Sequence, residues 1–377
     1  MKLTIQAPGK LILSGEWAVL EPGHPALVAA FDRYVYCDYE DSEQTIINLP
    51  DLQMNNLSGT YTDKHFSFTP ALPEEQAQKA EIARQAIEAA LRYLEEDGKA
   101  YKPFTISTDT IEHAITLTDG SQAKVGLGSS AGVTVTIIGT LLKVNGYDLA
   151  RRATLDVIFK LAAVAHYQAQ GNVGSGTDLA ACTYGGVNSY TRFDPHWLIE
   201  QVDQQKPLKE LCAETWPGLA VEKVTLPKEM LLFAAYSGKP ASTPDMIKTM
   251  EAYKQANTSA YNELMGMISQ TTTTLLAAIK DEHQTHVLNL LEANRLVLGK
   301  LGALASVPIE TPELAKMAEI AKQHNGGAKL SGAGGGDCCI GIAFDQFQKE
   351  DIEWAWEEAG FYPLDVFISE RGVSVWY

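Results

Sequence analysis

Lysine, glycine and serine crowd the stretch "KVGLGSSAGVTV", Lys124 to Val135, which runs into an apolar segment. Residues of these types can hold an anion. Glycine lets backbone N–H groups approach a phosphate, a helix N-terminus adds partial positive charge, and serine hydroxyls reach phosphate oxygens or Mg2+. Lys124 would add a full charge. Two more Gly/Ser clusters follow, "GNVGSG" at 171–176 and "GAGGG" at 332–336. The first cluster fits the loose G-x-G-x-x-G/A pattern, with Asp148 about twenty residues on. A dinucleotide fold needs that acid at the end of a second buried strand, but Asp148 follows the helix-stopping pair Asn145-Gly146. No G-x-x-x-x-G-K-[ST] string is present, which excludes a Walker-type loop. On these residues alone, a phosphate cradle and a plain helix start both stand.

The elements around the loop must position it. Val133, Ile137 and Leu141 form one i, i+4 row, and Thr134, Ile138 and Leu142 the next, despite the β-branched composition. The spacing predicts a helix from Ser129, with a serine near its N-cap and a stop at Asn145-Gly146. In "PEEQAQKAEIARQAIEAALRYLEEDG", Ile82, Ala86, Ile87, Ala90, Leu91 and Leu94 recur at three- and four-residue intervals, and Gly98 suits the position after a helix. Further helices are expected over 153–170, 245–269, 285–302 and 312–325, and in "KEDIEWAWEEAG". Thr311 and Pro312 supply the cap and first residue of the helix over 312–325. Strands are expected in "KLTIQA", "KLILSG", "YVYCDYE", "FTISTDT", "EMLLFAAYSG", "CCIGIAF" and "PLDVFIS", and a hairpin or loop over 51–73.

A chain of 377 residues is long enough for two or three domains with real cores. The boundary falls near 220, after "TWPGLA", giving units 1–220 and 221–377. The net charge of −17 disfavours nucleic acid, although a small anion needs only local positive groups. No window approaches 18 consecutive apolar residues, and Gln6, Pro8 and Gly9 interrupt any signal-peptide core. The expectation is a cytoplasmic protein, monomer or homodimer, with neither membrane nor nucleic acid as partner. Five cysteines without C-x-x-C spacing argue for reduced thiols. Cys338 and Cys339 read as small apolar residues on opposite faces of one strand.

Three stretches in order, "PGKLILSGEWAVL" (8–20), "KVGLGSSAGVTV" (124–135) and "KLSGAGGGDCCIGIAF" (329–344), closely resemble the motifs of the GHMP kinases. This superfamily comprises galactokinases and the homoserine, mevalonate and phosphomevalonate kinases. Two more, "QGNVGSGTDLAACTYGGVNSY" (170–190) and "AAYSGKPASTPDMIKTM" (234–250), are similar to its bacterial phosphomevalonate kinase branch. The resemblance implies an α+β fold of two domains. The N-terminal domain would be like ribosomal protein S5 domain 2, the C-terminal one ferredoxin-like, with the active site in the cleft between them. The implied reaction is ATP- and Mg2+-dependent phosphorylation of phosphomevalonate. Mevalonate, another small acceptor, or ligand sensing without turnover are the alternatives.

The resemblance also assigns residues. Lys10 and Asp178 match the catalytic lysine and aspartate, though Asp178 could instead cap the helix beginning "LAACTY". Lys124, Gly126, Gly128, Ser129, Ser130 and Ala131 would wrap the ATP phosphates, with the Ser130 hydroxyl approaching Mg2+. Ser331, Gly332, Ala333 and Gly334 would line the acceptor side, joined by Lys239, Ser242 and Thr243 of "GKPAST". Arg192 and Lys248 are weaker acceptor-side candidates. One departure from several relatives stands out. No acid lies between Asp156 and Asp178, so serine hydroxyl, nucleotide phosphates and water are expected to hold the metal. His166 reads as a helix-face or core histidine.

Overall fold

The computed structural model describes residues 1–169, 171, 174–240 and 243–376. The first part of the chain runs through β1 (Lys2–Ser14), β2 (Pro25–Asp41), β3 (Ile46–Leu49), β4 (Met54–Thr62), β5 (His65–Phe68) and α1 (Glu74–Glu96). Then come β6 (Phe104–Asp109), a small hairpin of β7 (Ala114–Thr116) and β8 (Gln122–Lys124), α2 (Ser129–Val144), α3 (Arg152–Ala169) and α4 (Thr177–Tyr184). It closes with β9 (Val187–Thr191), α5 (Pro195–Asp203), α6 (Leu208–Ala213) and β10 (Ala220–Val224). The second part contains β11 (Leu231–Tyr236), α7 (Thr243–Ala256), α8 (Thr258–Lys280), α9 (Gln284–Ala305) and α10 (Pro312–Gln323). It ends with β12 (Gly327–Leu330), β13 (Cys338–Ala343), α11 (Gln346–Glu358), β14 (Tyr362–Leu364) and β15 (Ser374–Val375).

Among the described residues these strands form two principal sheets. The larger follows the order β10-β9-β2-β6-β3-β4-β5, with β1 pairing both β2 and β15. Helices α1 to α4 and α6 pack around its core, in which β1, β2, α2 and α3 meet. The smaller sheet, β12-β13-β11-β14, is antiparallel throughout. Its chain order, strand, helices, two strands, helix, strand, is that of a ferredoxin-like unit.

β10 pairs along its whole length with β9, so the chain leaves the larger sheet between Val224 and Leu231, a few residues beyond the expected boundary. The C-terminal segment then returns: β15 pairs with β1, and Ile368 bridges Phe31. A cut at 220/221 falls inside β10, while β15 from the C-terminal part joins the larger sheet. Backbone pairing across a strand decides membership, and sequence patterning does not reveal partners.

Two helices differ informatively from their sequence reading. The segment 245–269 divides at Asn257, which leaves helical geometry (φ −136°, ψ 44°), and a second helix starts at Thr258. The helix α2 forms as its rows predict. However, its N-cap is Gly128 in the left-handed region (φ 85°), and no side chain caps it. The serine hydroxyls are thus free of capping duty. The polar residues Thr134 and Thr136 are buried inside α2 because their hydroxyls donate to the Ser130 and Gly132 carbonyls one turn back.

Cys338 faces the core shared with β1 and β2, while Cys339 faces the helical core of the second part. All five cysteines are buried and free, and burial raises the pKa of both adjacent thiols.

Candidate active site

A cleft of about 570 Å³ lies where the two sheets meet. Its walls are the three glycine-flanked motifs. Lys10 comes from β1, Gly126, Gly128, Ser129 and Ser130 from the head of α2, Asp178 from the head of α4, and Ser331 to Gly334 from the loop after β12.

Lys10 sits at the centre. Its backbone N–H donates to the Leu127 carbonyl at 2.8 Å, and its Nζ donates to the Gly126 carbonyl at 3.3 Å. A Cβ built on Gly128 would meet Lys10 Cγ at 3.2 Å and Asp178 Cβ at 3.4 Å, so Gly128 separates the cation from the carboxylate. A Cβ on Gly332 would stand 3.8 Å from Lys10 Nζ, which places the third loop on the other side of the ammonium. By helix geometry the first amides of α2 have no intrahelical acceptor and are open to an anion.

Asp178 is the second residue of α4, after an N-cap at Gly176 (φ 80°), so capping is not its task. Its Oδ1 accepts the N–H of Leu179 at 2.9 Å. Ser130 Oγ is hydrogen-bonded to His166 Nε2 at 3.2 Å. His166 is the buried histidine its sequence context suggests, and it also backs the serine. Burial lowers its pKa, against the opposing pull of Asp178.

The floor of the cleft contains residues the motif assignment left out. Glu16 and Lys329, 1% and 0% exposed, form an ion pair between the first and third motifs, and Lys329 also donates to the Leu330 carbonyl at 2.7 Å. Burial raises the Glu16 pKa, Lys329 and then Lys10 counter it, and Glu16 Oε2 has no hydrogen-bond donor among the described residues. Trp17 occupies a left-handed conformation (φ 63°) that is costly for a bulky side chain. It is held there by burial and by its Nε1–H, which donates to the Ala333 carbonyl at 3.2 Å. The Ile12 N–H donates to Ser331 Oγ at 2.7 Å, and Ser14 and Thr272 share a hydroxyl contact at 2.7 Å. Together these contacts lock the two sheets against each other. A sequence signal existed for Glu16 and Trp17, since both lie inside the first motif. Asp337, which also lines the cleft, is the lone acid closing the glycine run.

Not every expected residue faces the cleft. The Ala131 methyl is fully buried in the core, so only its amide can serve a phosphate. Lys239 is paired with Glu313 at 2.5 Å and lies off the cleft wall; its neighbour Pro240 lines the cleft instead. Ser242 lies outside the described residues, and Thr243 contributes the first residue of α7. Of the weaker pair, Arg192 is buried and donates to the Leu20 carbonyl and the Tyr167 hydroxyl, both at 3.0 Å. Lys248 is exposed on α7.

Comparison with known proteins agrees with this geometry. Residues 82–186 match the GHMP kinases N terminal domain, and residues 276–361 match the GHMP kinases C terminal region. The chain belongs to the GHMP kinase family. It is 29% identical to a phosphomevalonate kinase of Streptomyces sp. (strain CL190), over 97% of both chains. It is 24% identical to a mevalonate kinase of Thermococcus onnurineus, over 100% of this chain and 98% of that one. Among solved structures, the Lin0012 protein of Listeria innocua superposes with a TM-score of 0.88 at 31% identity, covering 100% of this chain and 99% of that one. A Streptococcus pneumoniae phosphomevalonate kinase, in complex with phosphomevalonate and AMPPNP, shares the fold with a TM-score of 0.79 at 22% identity, over 97% and 99% of the two chains.

Proposed function

We propose that this chain transfers the γ-phosphoryl group of ATP to (R)-5-phosphomevalonate, giving 5-diphosphomevalonate. One observation carries the acceptor's charge class. Among the described residues, neither Lys10 nor Lys124 has a carboxylate within ion-pair distance, although both line the cleft. Two uncommitted cations beside a helix N-terminus suit a site that receives two polyanions at once. The similarity to the Streptomyces phosphomevalonate kinase supports the particular acceptor.

In this reading ATP places its phosphates at the head of α2, against the amides and hydroxyls of Ser129 and Ser130. The phosphate of the acceptor approaches from the Ser331–Gly334 side. Phosphoryl transfer depends on alignment and charge stabilisation more than on covalent help from the protein. Lys10, between the two loops, offsets the repulsion of two anions, which grows in a cleft of low dielectric. A phosphate acceptor is mostly dianionic at neutral pH and needs no base to become a nucleophile. Asp178 therefore orients rather than deprotonates.

Mg2+ fits the donors present. The cleft offers hydroxyl and carboxylate oxygens, and no cluster of three or more His, Cys, Asp or Glu exists among the described residues. Mg2+ readily accepts such a residue-poor site, keeping water and phosphate oxygens as ligands. In this reading Ser130 would hold it, and when bound it would neutralise phosphate charge.

Mevalonate kinases match the whole chain as well, so mevalonate is the second reading, with Asp178 then acting as base. ADP release measured with phosphomevalonate, mevalonate, homoserine and galactose decides between them. Turnover with phosphomevalonate far above the others is expected. Preference for mevalonate would overturn the proposal in favour of the second reading. Nucleotide binding without turnover on any acceptor would instead indicate a sensor.

A further inference from the structure

Gly126 of the phosphate loop is gripped from both ends. The Gly126 N–H donates to Asp337 Oδ1 at 3.1 Å, and the Gly126 carbonyl accepts from Lys10 Nζ at 3.3 Å. The two grips come from different parts of the fold, since Asp337 follows the third glycine loop and leads into β13. The main chain of Asp337 is itself fixed, because its carbonyl accepts the Ser237 N–H at 2.9 Å, at the end of β11. A Cβ on Gly126 would lie 1.7 Å from Asp337 Oδ2. Glycine is needed at 126 to make room for this carboxylate, and its φ is not in the left-handed region.

We propose that Asp337 is a positioning residue that presets the phosphate loop. By holding the Val125–Gly126 peptide from one side while Lys10 holds the Gly126 carbonyl from the other, it anchors the loop at Gly126 and keeps it in place before nucleotide arrives. Loop order that is already present does not have to be supplied by the ligand, so the clamp raises nucleotide affinity. It also narrows the phosphate site. The Gly126 N–H is spoken for, which leaves the anion-binding donors to Gly128 and the first turn of α2. Gly126 is then a joint between the two halves of the cleft and not a phosphate ligand.

This inference rests on the reading that the cleft takes a nucleotide, and the test separates the two. Titration calorimetry of the full chain with a non-hydrolysable ATP analogue and Mg2+ is compared for wild type, Asp337→Ala and Asp337→Asn. Thermal unfolding is recorded alongside, so that affinities are compared well below each midpoint. Asparagine keeps an oxygen to accept the Gly126 N–H, while alanine removes it. A hydrogen bond to a charged acceptor predicts that Asp337→Ala weakens binding about tenfold, with Asp337→Asn within about threefold of wild type. Gly126→Ala should weaken binding in the wild type and add nothing on the Asp337→Ala background. Wild-type affinity in Asp337→Ala would overturn the inference. So would an asparagine variant as weak as the alanine one, because charge and not the clamp would then be responsible. A wild-type protein that binds no nucleotide would overturn the kinase reading, and this inference with it.

Discussion

Lys10 and Lys329 belong to the first and third motifs, and both face the junction of the two sheets, but the fold treats them differently. Lys329 is fully buried against Glu16 and the Leu330 carbonyl. Lys10 is partly exposed, and its ammonium donates to the Gly126 carbonyl with no ion-pair partner among the described residues. An ammonium taken out of water must be neutralised within the fold, whereas one facing a wet cleft can wait for a ligand. A third basic group follows neither course. His113 is 1% exposed, bonds the Arg33 carbonyl at 2.9 Å through Nε2, and leaves Nδ1 without a partner among the described residues. With no counter-charge, burial pushes its pKa down to about 4, and it stays neutral. Charge here is either paired, left open for substrate, or given up.

Each course can be broken separately. Lys329→Ala strands Glu16 as a buried, unpaired acid, and a destabilisation of about 3–5 kcal/mol is expected from urea unfolding. The Glu16→Gln, Lys329→Met double variant should recover much of it. A Lys329→Ala protein as stable as wild type would remove the distinction from Lys10. Lys10→Met should keep the wild-type urea midpoint and lose about 100- to 1,000-fold in kcat, the usual cost of deleting a group that stabilises developing charge.

Asp178→Asn sharpens the contrast within the cleft. With a phosphate acceptor its loss of kcat should stay below the ~100-fold that removal of a general base commonly costs. If Asp178→Asn proved worse than Lys10→Met, Asp178 would be the base and the acceptor an alcohol.

The smallest effect concerns His113. Its folded pKa of about 4 lies below the ordinary 6.5 of an unfolded histidine, so the unfolded chain takes up the proton first on acidification. Stability from this group is complete above pH 6.5 and is lost as pH falls towards 4. Near pH 5.5 the loss amounts to about 1 kcal/mol relative to pH 7.5, measured by urea unfolding at both values. Replacing the residue, as in His113→Gln, should flatten that part of the profile. An unchanged slope would mean that His113 is not held neutral.

Much of the site was legible because its parts are local. Gly128, Ser129 and Ser130 sit in consecutive positions at a helix head, and the i, i+4 rows of α2 announce the helix that follows. Thr311 capping α10, with its side chain accepting the Leu314 N–H at 3.4 Å, was readable for the same reason. Missed or misplaced residues depend on distant partners. Lys239 looks like any other lysine beside a glycine until Glu313 takes its charge, 74 residues away. Ala131 is adjacent in sequence to the cleft-lining Ser130, but one step around a helix turns its methyl into the core.

Local features are written in the residues: three glycine-rich turns, the helix that follows Gly128, and a mixed α and β chain, with the lysine and aspartate singled out by family resemblance. Which charges are available is settled by packing. Lys10 and Lys329 are the same residue type in similar surroundings, and the acids Glu16, Asp178 and Asp337 carry no label of their own. Burial and partners assign their roles. Those come from the meeting of two sheets that bring together distant segments, such as Ile12 and Ser331, 319 residues apart. Desolvation depends on everything that packs around a group, so no stretch of sequence can state it in advance.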